Sequence, residues 1–324
     1  MTDADYYRAP AWLPDGHTQT IWPLAIKGRV PDYRRERWDT PDNDFIDLDW
    51  IDGDPKAPCV ALFHGLEGSS RSHYARALMR ALAAHGWRGV VVHFRGCSGE
   101  PNRLARAYHS GDSAEIDWVL RRLAKQEAAP LFATGVSLGG NALLKWLGEQ
   151  GRDAGGVIQA AAAISAPIDL AAANLSLSKG FNRIYARHFL RTLIPAALEK
   201  LSRFPLLLDP QKIMSARTLG EFDDAATAPL HGFLDAADYY TRSSARQFLA
   251  MVKIPTLVIN ARNDPFLPAH ALPVAAEVSN AVRLEIHDGG GHVGFVSQGF
   301  PGHLEWLPHR LLSYFESNLP AAHM

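Results

Sequence analysis

From about Pro58 onward, short and nearly uninterrupted apolar runs alternate with longer stretches whose apolar residues recur every three to four positions. Val60 to Phe63, Gly89 to Phe94 and Leu131 to Val136 have the first pattern, which suits strands covered on both faces. Between them, Ser69 to His85 puts Tyr74, Leu78 and Leu82 on one helical face and meets Gly86 as a stop, and Ser113 to Gln126 does the same with Ile116, Leu120 and Leu123. Leu138 to Gln150, with Leu143, Leu144, Trp146 and Leu147, ends at Gly151. Further strands are expected within Gly156 to Ser165, over Thr256 to Ala261 and over Arg283 to His287. Strand and helix in alternation predict an α/β fold with a mainly parallel sheet flanked by helices. Before Pro58, Arg34 to Trp38 and Phe45 to Ile51 read as two antiparallel strands.

The rhythm breaks between about 170 and 250, where Phe181 to Ser202 and Asp235 to Met251 are helical in pattern and no strand is evident. We expect this segment to form a helical cap inserted over the C-terminal edge of the sheet, where loops carry function. The whole chain, 1–324, then reads as one domain with that insertion.

Composition narrows the partners more than it narrows the fold. At 47% hydrophobic and 21% charged residues, the chain has material for an ordinary globular core. A formal net charge of -1 offers no electrostatic reason to expect nucleic acid or an anionic membrane as partner. The two cysteines, Cys59 and Cys97, do not make a disulfide framework and fit a reducing compartment. The opening residues, Met1 to Asp5, lack the basic and apolar regions of a leader, and no run of 18 apolar residues occurs, so a cytoplasmic protein without an integral membrane segment is expected. His-Glu-x-x-His, a Walker A sequence and a G-x-G-x-x-G strand-to-helix turn are all missing, which leaves no metal and no cofactor to expect. The oligomeric state is left open.

The chemistry concentrates at Gly135-Val136-Ser137-Leu138-Gly139, which lies between an apolar strand and a helix. A sharp strand-to-helix turn with a serine at its apex is a nucleophile elbow, and small residues at 135 and 139 let neighbouring chain pass close by. A serine hydroxyl is a poor nucleophile at neutral pH, so such a turn calls for a histidine base and a carboxylate that fixes the histidine's tautomer. Asp264, directly after the Thr256 to Ala261 strand, and His292, after the Arg283 to His287 strand and three glycines, follow in the order this elbow uses. Asp223, Asp224, Asp235 and Asp238 are rival carboxylates in the cap, and Asp288 is a rival by position. His287 falls within a strand, while His303 and His309 flank the C-terminal helix as surface residues. Acyl transfer also needs two backbone N–H donors where negative charge develops. Leu138 should supply one and Leu66 the other, with His64 and Gly65 shaping the turn before it.

Taken with Pro10 to Ile21, His64 to Gly68, Phe94 to Gly99, Gly135 to Asn141 and Asn260 to Pro265, the chain resembles the YheT-like branch of the α/β-hydrolases. That branch includes medium-chain ester synthases and lipid hydrolases. The resemblance implies an α/β-hydrolase fold and a serine carboxylic-ester hydrolase acting on medium-chain or lipid-like acyl esters, small-molecule substrates, through Ser137, Asp264 and His292. Transfer of the acyl group to an alcohol would use the same residues, and a non-catalytic binding protein on a hydrolase fold is the alternative from another class. Apolar stretches in the cap, Phe189-Leu190 and Leu193 to Leu198, could line an acyl pocket or simply dock the cap. His17 and Gln19, within the N-terminal stretch, are candidates for approaching the site, although no physical argument from sequence places them there.

Overall fold

In a computed structural model, residues 6–26 and 28–320 are described. The leaderless reading of Met1 to Asp5 falls outside them. Eight strands, β1 (Arg34–Asp39), β2 (Phe45–Ile51), β3 (Cys59–Phe63), β4 (Arg88–Val92), β5 (Leu131–Val136), β6 (Ala160–Ile164), β7 (Thr256–Ala261) and β8 (Val282–His287), form one sheet in the order β1-β2-β4-β3-β5-β6-β7-β8. Only β2 runs against its neighbours, pairing antiparallel with β1 and β4, and the other junctions are parallel. All eight expected strands are present, with β4 and β6 shorter than their apolar runs.

A short helix α1 (Gly16–Ile21) precedes the sheet, and α2 (His73–Ala84), α3 (Ser113–Gln126) and α4 (Leu138–Gln150) connect its strands. Successive side chains of a strand point to opposite faces, so a strand buried on both sides must be apolar throughout. In β3, Cys59, Ala61 and Phe63 pack with Ile116, Leu120, Leu143 and Trp146 of α3 and α4. Val60 and Leu62 face the other way, towards Met79 and Leu82 of α2 and Leu311 and Phe315 of the C-terminal helix.

The insertion after β6 contains α5 (Leu170–Leu177), α6 (Arg183–Arg203), α7 (Pro210–Ser215), α8 (Leu219–Phe222), α9 (Ala228–His231) and α10 (Ala236–Ser243), and α11 (Trp306–Glu316) closes the chain. The expected helix over Asp235 to Met251 is interrupted. It leaves the α conformation at Ser244 and resumes as a 3-10 segment from Ala245 to Met251. The break has a tertiary cause, because the buried Asn141 side chain of α4 accepts from Ala245 N and donates to Ser243 O. His309 lies within α11, on its exposed side, instead of flanking it. Among the described residues no helix is long and apolar enough to cross a membrane.

Candidate active site

Four loops at the C-terminal ends of parallel strands converge on one place, the position where open α/β sheets carry their ligands. At the end of β5 the chain turns straight into α4, and Ser137 at the apex has φ 51° and ψ -119°, a conformation costly for any residue with a side chain. Ser137 N donates to Ile164 O at 2.8 Å, which ties the turn to β6. The glycines on either side are required by contact. A Cβ on Gly135 would lie 2.5 Å from Gly139 O, and one on Gly139 would lie 2.4 Å from Phe63 O.

His292 Nε2 is 3.0 Å from Ser137 Oγ, and His292 Nδ1 is 2.8 Å from Asp264 Oδ2. Asp264 is 5% exposed, and its other oxygen accepts from Phe266 N at 2.8 Å. An ionised carboxylate can only accept, so Nδ1 carries the imidazole proton and Nε2 is left to accept from the serine hydroxyl. The Phe266 ring stacks on His292 with centroids 4.1 Å apart. The structure thus brings together the three residues singled out as nucleophile, orienting carboxylate and base. None of the rivals is hydrogen-bonded to His292 among the described residues. Asp288 is exposed and pairs with Arg262 and Tyr6, Asp235 caps α10, Asp238 and Asp224 accept backbone N–H groups of the cap, and His287 is buried among Tyr6, Tyr7 and Trp306.

After β3, the His64-Gly65-Leu66 turn is held from several directions. Gly65 N donates to Tyr74 Oη at 2.9 Å, and Glu67 N donates to Tyr108 Oη at 2.9 Å. Phe94 N donates to His64 Nε2, so His64 Nδ1 carries the proton and donates to Gly65 O at 2.7 Å. Burial pushes His64 down to about 3, which keeps it neutral in this role. Gly65 O and Leu66 N share one trans peptide and point in opposite directions, so fixing the carbonyl also aims the Leu66 N–H. Leu138 is the first residue of α4, and its N–H has no acceptor within the helix.

The loop bearing His292 is fastened by residues that pattern analysis did not assign. Gly290 N donates to Gln19 Oε1 at 2.6 Å, Gly291 N to Asn263 Oδ1 at 3.0 Å, His292 N to Thr20 Oγ1 at 2.9 Å and Val293 N to Ser165 Oγ at 3.2 Å. Gln19 also accepts from Asn263 Nδ2 and donates to Leu13 O. His17 stops one layer further out, with its Nδ1 3.1 Å from Tyr185 Oη and its ring against Phe181.

Above the site is a cavity of about 220 Å³. Ser137, Leu66 and His292 stand at its base, and the cap residues Phe189, Leu193 and Phe222 are in its wall. Asp223 is an exception in this apolar lining: its carboxylate accepts from Thr227 and Tyr240, and burial pushes it up to about 6. Burial likewise lowers Lys200 to about 8 while its Nζ donates to Asn102 Oδ1 and to the Leu104 and Arg106 carbonyls, linking α6 to the loop after β4. Burial raises both thiols, Cys59 to about 12 and Cys97 further, so neither is a ready nucleophile.

Sheet order, elbow and converging loops define a class, and residues 58–298 match the alpha/beta hydrolase fold family; the chain belongs to that family. It is 40% identical over 335 residues to "Putative esterase YheT" of Escherichia coli, covering 99% of this chain and 97% of that one. Phospholipase ABHD3 of Mus musculus is 30% identical over 329 residues, 98% of this chain and 80% of its own. The Pyrococcus furiosus esterase Pf2001 shares the fold, with a TM-score of 0.57 at 17% identity over 91% of this chain and 98% of that one. These relationships make the protein a hydrolase of the carboxylesterase and lipase type.

Proposed function

We propose that the protein is a serine carboxylic-ester hydrolase that works through an acyl-enzyme on medium-chain or lipid-like acyl esters. The observation that carries this reading is the hydrogen-bonded line from Ser137 Oγ through His292 to Asp264. In the first half-reaction Ser137 Oγ attacks the ester carbonyl carbon as its proton passes to His292 Nε2. The carbonyl oxygen takes up the electron pair and is held by the N–H groups of Leu66 and Leu138. Collapse of this intermediate breaks the ester bond, and the departing alkoxide takes the proton from His292. Water, deprotonated by the same nitrogen, then releases the acid and restores Ser137. Asp264 keeps the proton on Nδ1 and stabilises the imidazolium that forms in each half. An apolar cap wall above the serine favours a hydrocarbon acyl chain over a charged one.

The test is a chain-length series of nitrophenyl esters with wild type and Ser137→Ala. The expected result is a kcat/KM that rises with chain length to a medium-chain optimum, and a loss of at least about 10³-fold in the variant. A flat response would remove the acyl pocket from the reading, and retained turnover in Ser137→Ala would remove the nucleophile.

A further inference from the structure

We propose that the outer face of α6 and the turn leading into it dock the protein on an anionic lipid surface, above the cavity that leads to Ser137. From Leu170 to Leu198 the chain contains no acidic residue, yet it carries Lys179, Arg183, Arg187 and Arg191. The three arginines follow one another at four-residue spacing on α6, and all are exposed. Among the described residues none of their side chains makes an ion pair, a hydrogen bond or a ring contact.

Nothing in the fold accounts for this arrangement. Like charges four apart on a helix repel, and all three stand in the N-terminal half, with Arg183 in the first turn, where the helix dipole disfavours cations and no acid offsets it. Apolar residues sit among them. Phe181 and Ile184 remain 53% and 50% exposed, and Leu175 at the end of α5 is 54% exposed. Phe181, Ile184, His188 and Arg191 follow at three- and four-residue steps and so share one side of the segment. Exposed apolar residues interleaved with arginine form the face of a helix that lies in a membrane interface, where the rings enter the headgroup boundary and the cations meet lipid phosphates.

The opposite side of α6 gives this placement a use. Phe189, Leu193 and Ala197 line the cavity with Ser137 and His292. One helix therefore presents cations and exposed apolar residues outward and the acyl wall inward. Docked by its outer face, it would hold the cavity against the surface in which lipid-like esters reside. The usefulness of docking rests on the proposed esterase reading, but the docking itself does not.

Co-sedimentation with vesicles tests the surface directly, using the full chain, phosphatidylcholine vesicles, and phosphatidylcholine vesicles with about a quarter phosphatidylglycerol. Binding is expected only to the anionic vesicles. Replacing Arg183, Arg187 and Arg191 by Gln together should weaken it by about 100-fold, given that each surface cation contributes roughly a fivefold factor. Hydrolysis of a dispersed short-chain nitrophenyl ester should be unchanged in this variant, which also shows that it is folded. Equal binding to both vesicle types, or anionic binding that survives the triple substitution, would overturn the proposal. So would retention on soluble poly-glutamate as tight as on the vesicles, since that would point to an acidic macromolecule instead of a lipid surface. The sedimentation reads docking and the short ester reads chemistry, so a failure of one is distinguishable from a failure of the other.

Discussion

Ser137, His292 and Asp264 depend on one another through two hydrogen bonds of 3.0 and 2.8 Å, and each bond fixes what the other can be. Replacing Asp264 by Asn tests the tautomer argument without removing the side chain. An amide can donate to Nδ1, which moves the imidazole proton to Nε2 and leaves the serine facing a donor. We expect kcat to fall by about 10⁴-fold with the fold intact, measured by steady-state kinetics alongside thermal unfolding. A fall of less than about tenfold would mean that Asp264 does not set the tautomer. These three residues were legible in the sequence because each follows its own apolar strand, so the strand pattern alone put them at one edge of the sheet. Asp288 competed only on spacing, and it points into solvent beside Arg262.

At the scale of elements, α1 does work that no local pattern reveals. Gln19, 2% exposed, satisfies a loop N–H and the Asn263 side chain across more than 240 residues of sequence. A glutamine on a six-residue helix carries no periodic signal of such a role, and only the quoted N-terminal motif hinted at it. Gln19→Ala leaves those partners without an acceptor in a buried place, and we expect a loss of about 2 to 4 kcal/mol in urea unfolding. On the proposed mechanism the loop positions the base and not the ester, so kcat should fall by at least about tenfold with KM nearly unchanged. A variant that loses stability but keeps kcat would make Gln19 a purely structural residue. The interrupted helix after Ser243 has a similar origin. Its apolar pattern runs on to Met251, but a buried Asn141 takes the Ala245 N–H that the helix would have used. The eight strands were legible because burial on both faces requires unbroken apolar runs, whereas Asn141 and Gln19 act through single long-range bonds.

For the whole molecule, pH acts first through buried histidines. Burial lowers His64 to about 3, His73 to about 4, His109 to about 4 and His231 to about 3. The unfolded chain binds these protons near pH 6.5 and the folded one only near 3 to 4, so stability is fully present above about 6.5 and is lost as pH falls towards 4. Asp223 opposes them, since its raised value of about 6 makes the folded state bind a proton earlier than the unfolded state does. Glu115, which burial raises to about 7, opposes them in the same way, so the net at its steepest is about two protons and a loss of roughly 3 kcal/mol per pH unit. Urea midpoints measured from about pH 7 to about pH 4.5 should fall steeply, and a flat profile would contradict neutral buried histidines. Charge at this scale also misleads when it is only summed. A formal net charge of -1 gave no reason to expect an anionic surface as partner, yet 170–198 holds four cations and no acid.

The most direct test of the central claim is the intact mass of the protein after treatment with a fluorophosphonate, which phosphonylates a serine that has a working base and oxyanion site. The expected result is a single adduct on native protein, mapped to Ser137, and none on Ser137→Ala. Native protein that stays unlabelled, or a label that persists in Ser137→Ala, would contradict the account.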